Sequence, residues 1–171
     1  EEEEEEGDEC PICLEILPKF GDQFTRFTCC GNGIHTHCGK DMISMKMAGT
    51  CPFCRAPRPS SHEEAVKYLR PWVKKKKAWA QTMMGQMYRN GEGVKQSYEM
   101  ANKLYELAAQ QGDASAMARL GEMYSKGQGV EQSYERAKEY YEQAAHLGYA
   151  NAQFNLGFMY YNGLGVEQSY E

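Results

Sequence analysis

Several features that would assign this 171-residue sequence to a common class are missing from it. No stretch approaches the roughly 18 consecutive apolar residues of a membrane-spanning helix, so we expect no membrane segment here. No amino-terminal series of positive charge, apolar stretch and small-residue cleavage site is present, so nothing indicates secretion. A basic excess is also missing, since 19 Lys and Arg face 24 Asp and Glu for a net charge of −5. A broad nucleic-acid-binding face, which is normally basic, is therefore not expected.

Cysteine is absent after position 54, because all seven cysteines lie between positions 10 and 54. An odd number of cysteines cannot pair completely as disulfides, and clustered cysteines in a chain without an export signal more often bind metal. The alternative is a set of free cysteines with no metal. This distribution predicts two unlike parts that join in the fifties.

The second part repeats with a fixed period of 36 residues. Copies open at Ala78, Ala114 and Ala150, and the first two agree at 18 of 36 positions. Each copy carries apolar residues at helical spacing in two segments, which predicts two helices per copy. The predicted copies are 78–113, 114–149 and a truncated 150–171. One helix pair cannot bury its own apolar stripe, so the stacked copies must bury their stripes jointly.

Local signals predict the geometry inside each copy. Ser97 indicates the start of a second helix, because its hydroxyl can accept a hydrogen bond from an early amide. That helix is expected to end near Gly112, which can adopt a left-handed cap conformation. Gly85 costs about 1 kcal/mol relative to Ala inside a helix, so we expect a neighbouring helix to approach closely there. The same phase extends back to Ser61, which makes residues 59–77 a connecting helix equivalent to half a repeat.

The repeated residues resemble the Sel-1-like repeats, relatives of the tetratricopeptide repeats, over residues 61–171. The resemblance rests on Ala78-x-Ala80, Gly85, Tyr88, the Gly-x-Gly-Val turn, Ala101, Tyr105, Ala108-Ala109 and Gly112. It implies an all-α solenoid of antiparallel helix pairs that binds a protein substrate or scaffold. Because the chain lacks an initiating Met and stops at Glu171 inside the second helix of a copy, we expect a fragment with further copies beyond it.

The first part carries cysteine and histidine pairs at metal-ligand spacing. They are Cys10 with Cys13, Cys29 with Cys30, His35 with Cys38, and Cys51 with Cys54. Two cysteines three positions apart can bind one ion through ~2.3 Å bonds, and zinc suits thiolate and imidazole donors. A stretch of about 45 residues has too little core to fold without such a staple. These pairs therefore predict a zinc-stapled domain.

The order of the four pairs resembles the RING finger over residues 10–57. In that family the first and third pairs bind one zinc ion and the second and fourth pairs bind another. The resemblance implies two zinc ions, one on Cys10, Cys13, His35 and Cys38 and one on Cys29, Cys30, Cys51 and Cys54. Adjacent Cys29 and Cys30 depart from the usual spacing, so His37 stays open as a replacement for Cys29. The implied fold is a small α+β domain at 10–58, preceded by an acidic tail at 1–9 that buries nothing.

The RING resemblance also implies activity as a ubiquitin-protein ligase that forms no covalent intermediate. The positions that dock a ubiquitin-conjugating enzyme in that family are occupied by Ile12, Met42, Ile43 and Pro52. Arg55 stands at the position of the family's linchpin arginine, whose planar guanidinium can bridge two partners and hold the ubiquitin thioester for attack.

Roles without a function in ubiquitin transfer are the alternatives for these residues. Ile12 can be simply packed, and Arg55 can be an ordinary surface arginine. A non-catalytic, zinc-stapled interaction adaptor is the alternative function, and a nucleic-acid-binding zinc finger is disfavoured by the acidic balance. Ubiquitin chemistry would place the protein in the cytoplasm or the nucleus, which are reducing compartments.

Overall fold

The chain divides into two compact units, Glu1–Ser60 and Ser61–Glu171. The structure, a computed structural model, describes residues 24–26, 33–35, 51, 57 and 59–165.

The first unit contains two short paired strands. Strand β1 spans Phe24–Arg26 and strand β2 spans Gly33–His35. They run antiparallel, with Phe24 opposite His35 and Arg26 opposite Gly33. Cys51 is buried, with 1% of its surface exposed.

Most of the predicted zinc and docking residues lie outside the described residues. Of the zinc ligands, the structure describes Cys51 and the backbone of His35. Outside the described part lie Cys10, Cys13, Cys29, Cys30, Cys38 and Cys54, the alternative ligand His37, and Ile12, Met42, Ile43, Pro52 and Arg55. The two-zinc and RING hypotheses therefore stay predictions.

The second unit is helical throughout the part that the structure describes, residues 61–165. Its six helices are α1 His62–Lys74, α2 Ala78–Asn90, α3 Tyr98–Ala109, α4 Ala114–Lys126, α5 Tyr134–His146 and α6 Ala150–Asn162. Each helix packs against the next one along the chain. The predicted first helix of each copy begins at Ala78, Ala114 and Ala150, which confirms the phase of the repeat. Among the described residues, no helix has the length and apolar character needed to span a bilayer.

Serine residues begin the second helix of each pair. The hydroxyls of Ser61, Ser97 and Ser133 each accept a hydrogen bond of 3.2 Å from the amide three residues on. This confirms the start at Ser97 and the half-repeat that opens at Ser61. The predicted end is less accurate, because α3 ends at Ala109. Gly112 does adopt a left-handed φ of +83°, but it does so in the turn that follows.

The glycines inside the first helices allow a tyrosine of the next helix to pack closely. A Cβ atom added to Gly85 would lie 2.7 Å from Cε1 of Tyr105 in α3. A Cβ atom added to Gly121 would lie 2.8 Å from Cδ1 of Tyr141 in α5. Tyr105 is fully buried, with 0% exposed. The expected close approach of a neighbouring helix is therefore confirmed.

The Gly-x-Gly turns connect one copy to the preceding copy. Gly129 has a φ of +71°, and a Cβ atom there would lie 2.5 Å from Cβ of Tyr98 at the start of α3. Gly165 has the same relation to Tyr134 at the start of α5, at 2.7 Å. A side chain at either glycine would push the turn off the helix that supports it. The periodic turns are therefore packing elements between copies.

The core of the unit crosses the boundaries between copies. One cluster joins α1, α2 and α3 through Val66, Leu69, Ala80, Met84, Met87 and Leu104. Another joins α3 and α4 through Ala101, Tyr105, Ala108, Ala116, Leu120 and Met123. This confirms that neighbouring copies bury their apolar stripes jointly.

Candidate partner-binding surface

A cluster of four charged side chains links α2 to α4. Arg89, near the end of α2, donates two hydrogen bonds to the Glu122 carboxylate of α4, at 2.8 and 2.6 Å. Arg119 and Lys126, which flank Glu122 on α4, donate to the same carboxylate at 3.3 and 2.7 Å. Three cations thus share one carboxylate, which leaves two positive charges in excess.

The electrostatics of the cluster keep Glu122 ionised. Burial alone would raise the pKa of Glu122, but hydrogen bonds from Arg89 and Lys126 and their positive charge lower the pKa to about 2. Burial would lower the pKa of Arg89, but the Glu122 carboxylate outweighs this effect and raises it. Both partners are therefore charged at neutral pH.

Helix α6 presents three exposed aromatic side chains. Phe154 is 74% exposed, Phe158 is 54% exposed and Tyr161 is 61% exposed. In the 36-residue register, the two phenylalanines occupy the positions of Ala118 and Glu122 in α4. The third copy therefore places large apolar rings where the second copy has a small residue and a carboxylate.

Two of the cations, Arg119 and Lys126, and the two phenylalanines line one pocket of about 440 Å³ between α4, α5 and α6. Helix α4 contributes Arg119, Glu122, Ser125 and Lys126, helix α5 contributes Tyr134 and Tyr141, and α6 contributes Asn151, Phe154, Asn155, Phe158 and Met159. Positive charge, amide groups and exposed aromatic surface thus meet in one concave place. Such a combination suits a protein side chain or a short peptide.

A second pocket, of about 580 Å³, lies between α3 and α5. Its wall includes Tyr124 and Tyr140, whose rings stack 5.6 Å apart. Arg136 already occupies this wall, because its Nη1 donates to the Tyr124 hydroxyl at 3.1 Å and its guanidinium lies 5.2 Å from the Tyr124 ring. The aromatic faces therefore have an internal cation partner, and we regard the first pocket as the better candidate surface.

The residues of this pocket were not among those predicted from the sequence. The spacing of Arg119, Glu122 and Lys126 on one helix is visible in the sequence as an i, i+3 and i+7 pattern. The substitution of aromatic residues at Phe154 and Phe158 is also visible when the copies are aligned. Neither signal shows that the two groups face each other, because this depends on how one copy stacks on the next.

Comparison with known families agrees with the repeat organisation. The Sel1 repeat family model matches residues 80–113, 114–149 and 150–171, which together make up more than half of the chain. The predicted copies at 78–113, 114–149 and 150–171 coincide with these matches to within two residues. No curated protein matches the chain.

Three solved structures share the helical fold. A protective antigen of uropathogenic Escherichia coli with an SLR fold is 36% identical, has a TM-score of 0.62, and covers 66% of this chain and 24% of its own. A Sel1 repeat protein from Oxalobacter formigenes is 29% identical, with a TM-score of 0.60 and coverages of 78% and 48%. Cysteine-rich protein B of Helicobacter pylori is 26% identical, with a TM-score of 0.52 and coverages of 55% and 71%. The chain spans about a quarter and about half the length of the first two.

Proposed function

The chain belongs to the Sel1 repeat family, and from this premise we propose that it acts as an adaptor whose helical repeats hold a protein partner. Sel1 repeats generally bind proteins. The observation that carries the proposal is the pocket between α4, α5 and α6, where exposed Phe154 and Phe158 lie beside Arg119 and Lys126. Aromatic residues and arginine dominate the binding energy of protein interfaces.

Site-specific crosslinking tests the adaptor proposal. A photoreactive amino acid replaces Asn155, which lines the pocket, in the full chain expressed in cells. The matched control carries it at Lys103, which is exposed on α3 and lines neither pocket. We expect a discrete crosslinked partner from position 155 but not from position 103, and Phe158→Ala should abolish it while Leu107→Ala does not. Equal crosslinking from both positions would refute the pocket as the binding surface.

We propose as a second function that residues 10–58 form a RING-type zinc domain that recruits a ubiquitin-conjugating enzyme. The support comes from the sequence: the four ligand pairs, the apolar residues Ile12 and Pro52 beside them, and Arg55 after the last ligand. In this arrangement the repeats hold the substrate while the RING domain orients the ubiquitin thioester, and the rate gain is one of orientation. The reaction would take place in the cytoplasm or the nucleus.

Metal analysis followed by a discharge assay tests the ligase proposal. We expect two zinc ions per chain in the purified protein. Release of ubiquitin from charged conjugating enzymes should then be stimulated by the native chain and lost in Arg55→Ala. The control Arg58→Ala removes the same side chain three positions later and should stay active. Two zinc ions without stimulation of any conjugating enzyme would leave the adaptor as the function and exclude the ligase.

A further inference from the structure

The pocket between α4, α5 and α6 is positive within an acidic stretch of sequence. Residues 78–171 carry 11 acidic and 7 basic side chains. Glu122 is the only acidic residue among those that line the pocket, and Arg89 already holds it in a bidentate ion pair. The side chains of Arg119 and Lys126 are 39% and 53% exposed. Each bonds Glu122 through one nitrogen, so several of their donors stay available to a ligand.

Two residues that α6 contributes to the pocket, Phe158 and Asn155, lie on a different side of the helix from the surface that receives a following helix. In α2 and α4 the following helix packs over the glycine equivalent to Gly157. At 3.6 residues per turn, Phe158 lies about 100° from Gly157 around the helix, and Asn155 lies about 160° from it.

The equivalent positions in the second copy show that this side stays accessible when another copy is stacked on it. Arg119 is equivalent to Asn155, and Glu122 is equivalent to Phe158. With α5 and α6 both in place, the side chains of Arg119 and Glu122 are still 39% and 20% exposed. Phe158 and Asn155 therefore belong to an accessible side of the solenoid, and Phe158 adds an apolar surface to that side.

We propose that this pocket binds an acidic peptide segment of the partner, with a carboxylate on Arg119 and Lys126 and an adjacent apolar side chain against Phe158. The inference rests on the proposed adaptor function and names the chemistry of its partner. A volume of about 440 Å³ accommodates a few side chains and no folded element. The acidic character of the repeats disfavours a polyphosphate ligand, because repulsion along a nucleic acid would outweigh two local contacts.

Fluorescence anisotropy with designed peptides tests the inference on the full chain. The probe is a labelled peptide of alternating Asp and Leu, and its control is the same peptide with Lys in place of Asp. We expect saturable binding of the acidic peptide alone, and weakening as salt is raised from 50 to 300 mM, since exposed charges are screened. The double variant Arg119→Gln, Lys126→Gln should bind roughly tenfold more weakly, which corresponds to about 1.4 kcal/mol.

Matched variants distinguish a loss of binding at the pocket from an effect of overall charge and from a failure to fold. Lys103→Gln removes an exposed cation on α3 and should leave binding unchanged, and Phe158→Ala should weaken binding while Leu107→Ala does not. Thermal unfolding of each variant shows whether it is folded, and Arg119→Lys, which keeps the charge, should restore part of the affinity. Together these results support the proposal.

Three results would overturn it. Equal binding of the basic peptide, or undiminished binding by the Arg119 and Lys126 double variant, would exclude charge recognition. Equally tight binding of a single-stranded oligonucleotide that is lost in the same variants would assign the pocket to polyanions. Sedimentation that shows a dimer dispersed by Phe158→Ala would assign the face to a second copy of the chain. The adaptor function fails separately, when crosslinking from position 155 finds no partner.

Discussion

At the scale of single residues, Glu122 is the polar contact that ties the first copy to the second. It accepts hydrogen bonds from Arg89, Arg119 and Lys126, and its side chain is 20% exposed. Ion pairs on an open surface contribute little, because water and salt screen them. A bidentate pair in which the arginine is only 13% exposed is screened less and is held in a fixed geometry.

We predict that Glu122→Gln destabilises the repeat unit by about 1–3 kcal/mol at pH 7, since three cations lose their shared negative charge and one of the two oxygens that accept from them. The native pKa of Glu122 is lowered from 4.5 to about 2. The stabilisation by Glu122 is therefore fully present above pH 4.5 and is lost as the pH falls towards 2. Urea unfolding of both chains between pH 7 and pH 3 should show the difference in free energy of unfolding shrinking below pH 4.5.

The control for this prediction is Glu142→Gln in α5. Glu142 pairs with Lys138 at 3.5 Å, and its side chain is 39% exposed. Removal of this open surface pair should change the free energy of unfolding by less than about 0.5 kcal/mol. A loss as large as that of Glu122→Gln, or a Glu122→Gln effect that does not change with pH, would contradict the assigned role.

Prediction from single residues succeeded where the residue type itself implies a local structural feature. Gly85 is unfavourable in a helix, and this cost alone indicated the close approach of a neighbouring helix, which the structure shows to be made by Tyr105. Ser97 likewise carries its capping group with it. The pair of Arg89 and Glu122 gave no such signal, because the two residues are 33 positions apart and belong to unequal sites of their copies. Their contact follows from the offset between stacked helices, which the repeat period does not specify.

At the scale of helices, the close packing of α5 on α4 depends on a glycine, which has no side chain, at position 121. Tyr141 of α5 packs over Gly121 of α4, as Tyr105 packs over Gly85. The equivalent Gly157 of α6 has no described atom within 4 Å of an added Cβ. One substitution therefore has opposite consequences at two equivalent positions.

We predict that Gly121→Ala destabilises the unit and that Gly157→Ala does not. The added methyl group at 121 would lie 2.8 Å from Cδ1 and Cε1 of Tyr141, and overpacking of this kind costs about 1–3 kcal/mol. Replacing a helical Gly by Ala returns about 1 kcal/mol, so the net loss at 121 should be up to about 2 kcal/mol. At 157 no described atom crowds the added methyl group, and the free energy of unfolding should rise by up to about 1 kcal/mol.

Thermal and urea unfolding of the two variants beside the native chain give the comparison. Because both variants make the same chemical change in equivalent helices, differences in the unfolded state largely cancel. Shifts of the same sign at 121 and 157 would refute the packing role of the glycine.

The helix pattern itself was largely predictable. The starts at Ala78, Ala114 and Ala150 follow from the period, and each is confirmed. The end of α3 was predicted only approximately, because Gly112 lies in the turn and the helix stops at Ala109. Consecutive amides of the turn are satisfied there by backbone carbonyls, as when Gly112 bonds Ala109. A glycine signal therefore locates the turn to within a few residues and does not fix the last helical residue.

At the scale of the whole molecule, the distribution of cysteine coincides with the division into two units. All seven cysteines lie before position 55, and the division falls between Ser60 and Ser61. The two core clusters of the helical unit involve residues from 65 onward. Composition and period were enough to predict this organisation. They could not specify the surface at Phe158, which needs two copies placed in register.

We predict that zinc removal affects the first unit and spares the helical one. A chelator should release two zinc ions per chain and make residues 10–58 sensitive to protease, since such a short segment depends on its metal to fold. The urea midpoint of the helical circular-dichroism signal should stay unchanged. Among the described residues, no group of three or more His, Cys, Asp or Glu side chains could hold a metal, and the apolar clusters of the helices stabilise them without one.

Restoring zinc should restore protease resistance, and this reversal is the control. A helical midpoint that falls on chelation would show that the repeats need the metal, and a chain that resists protease equally with and without chelator would exclude the zinc-stapled domain.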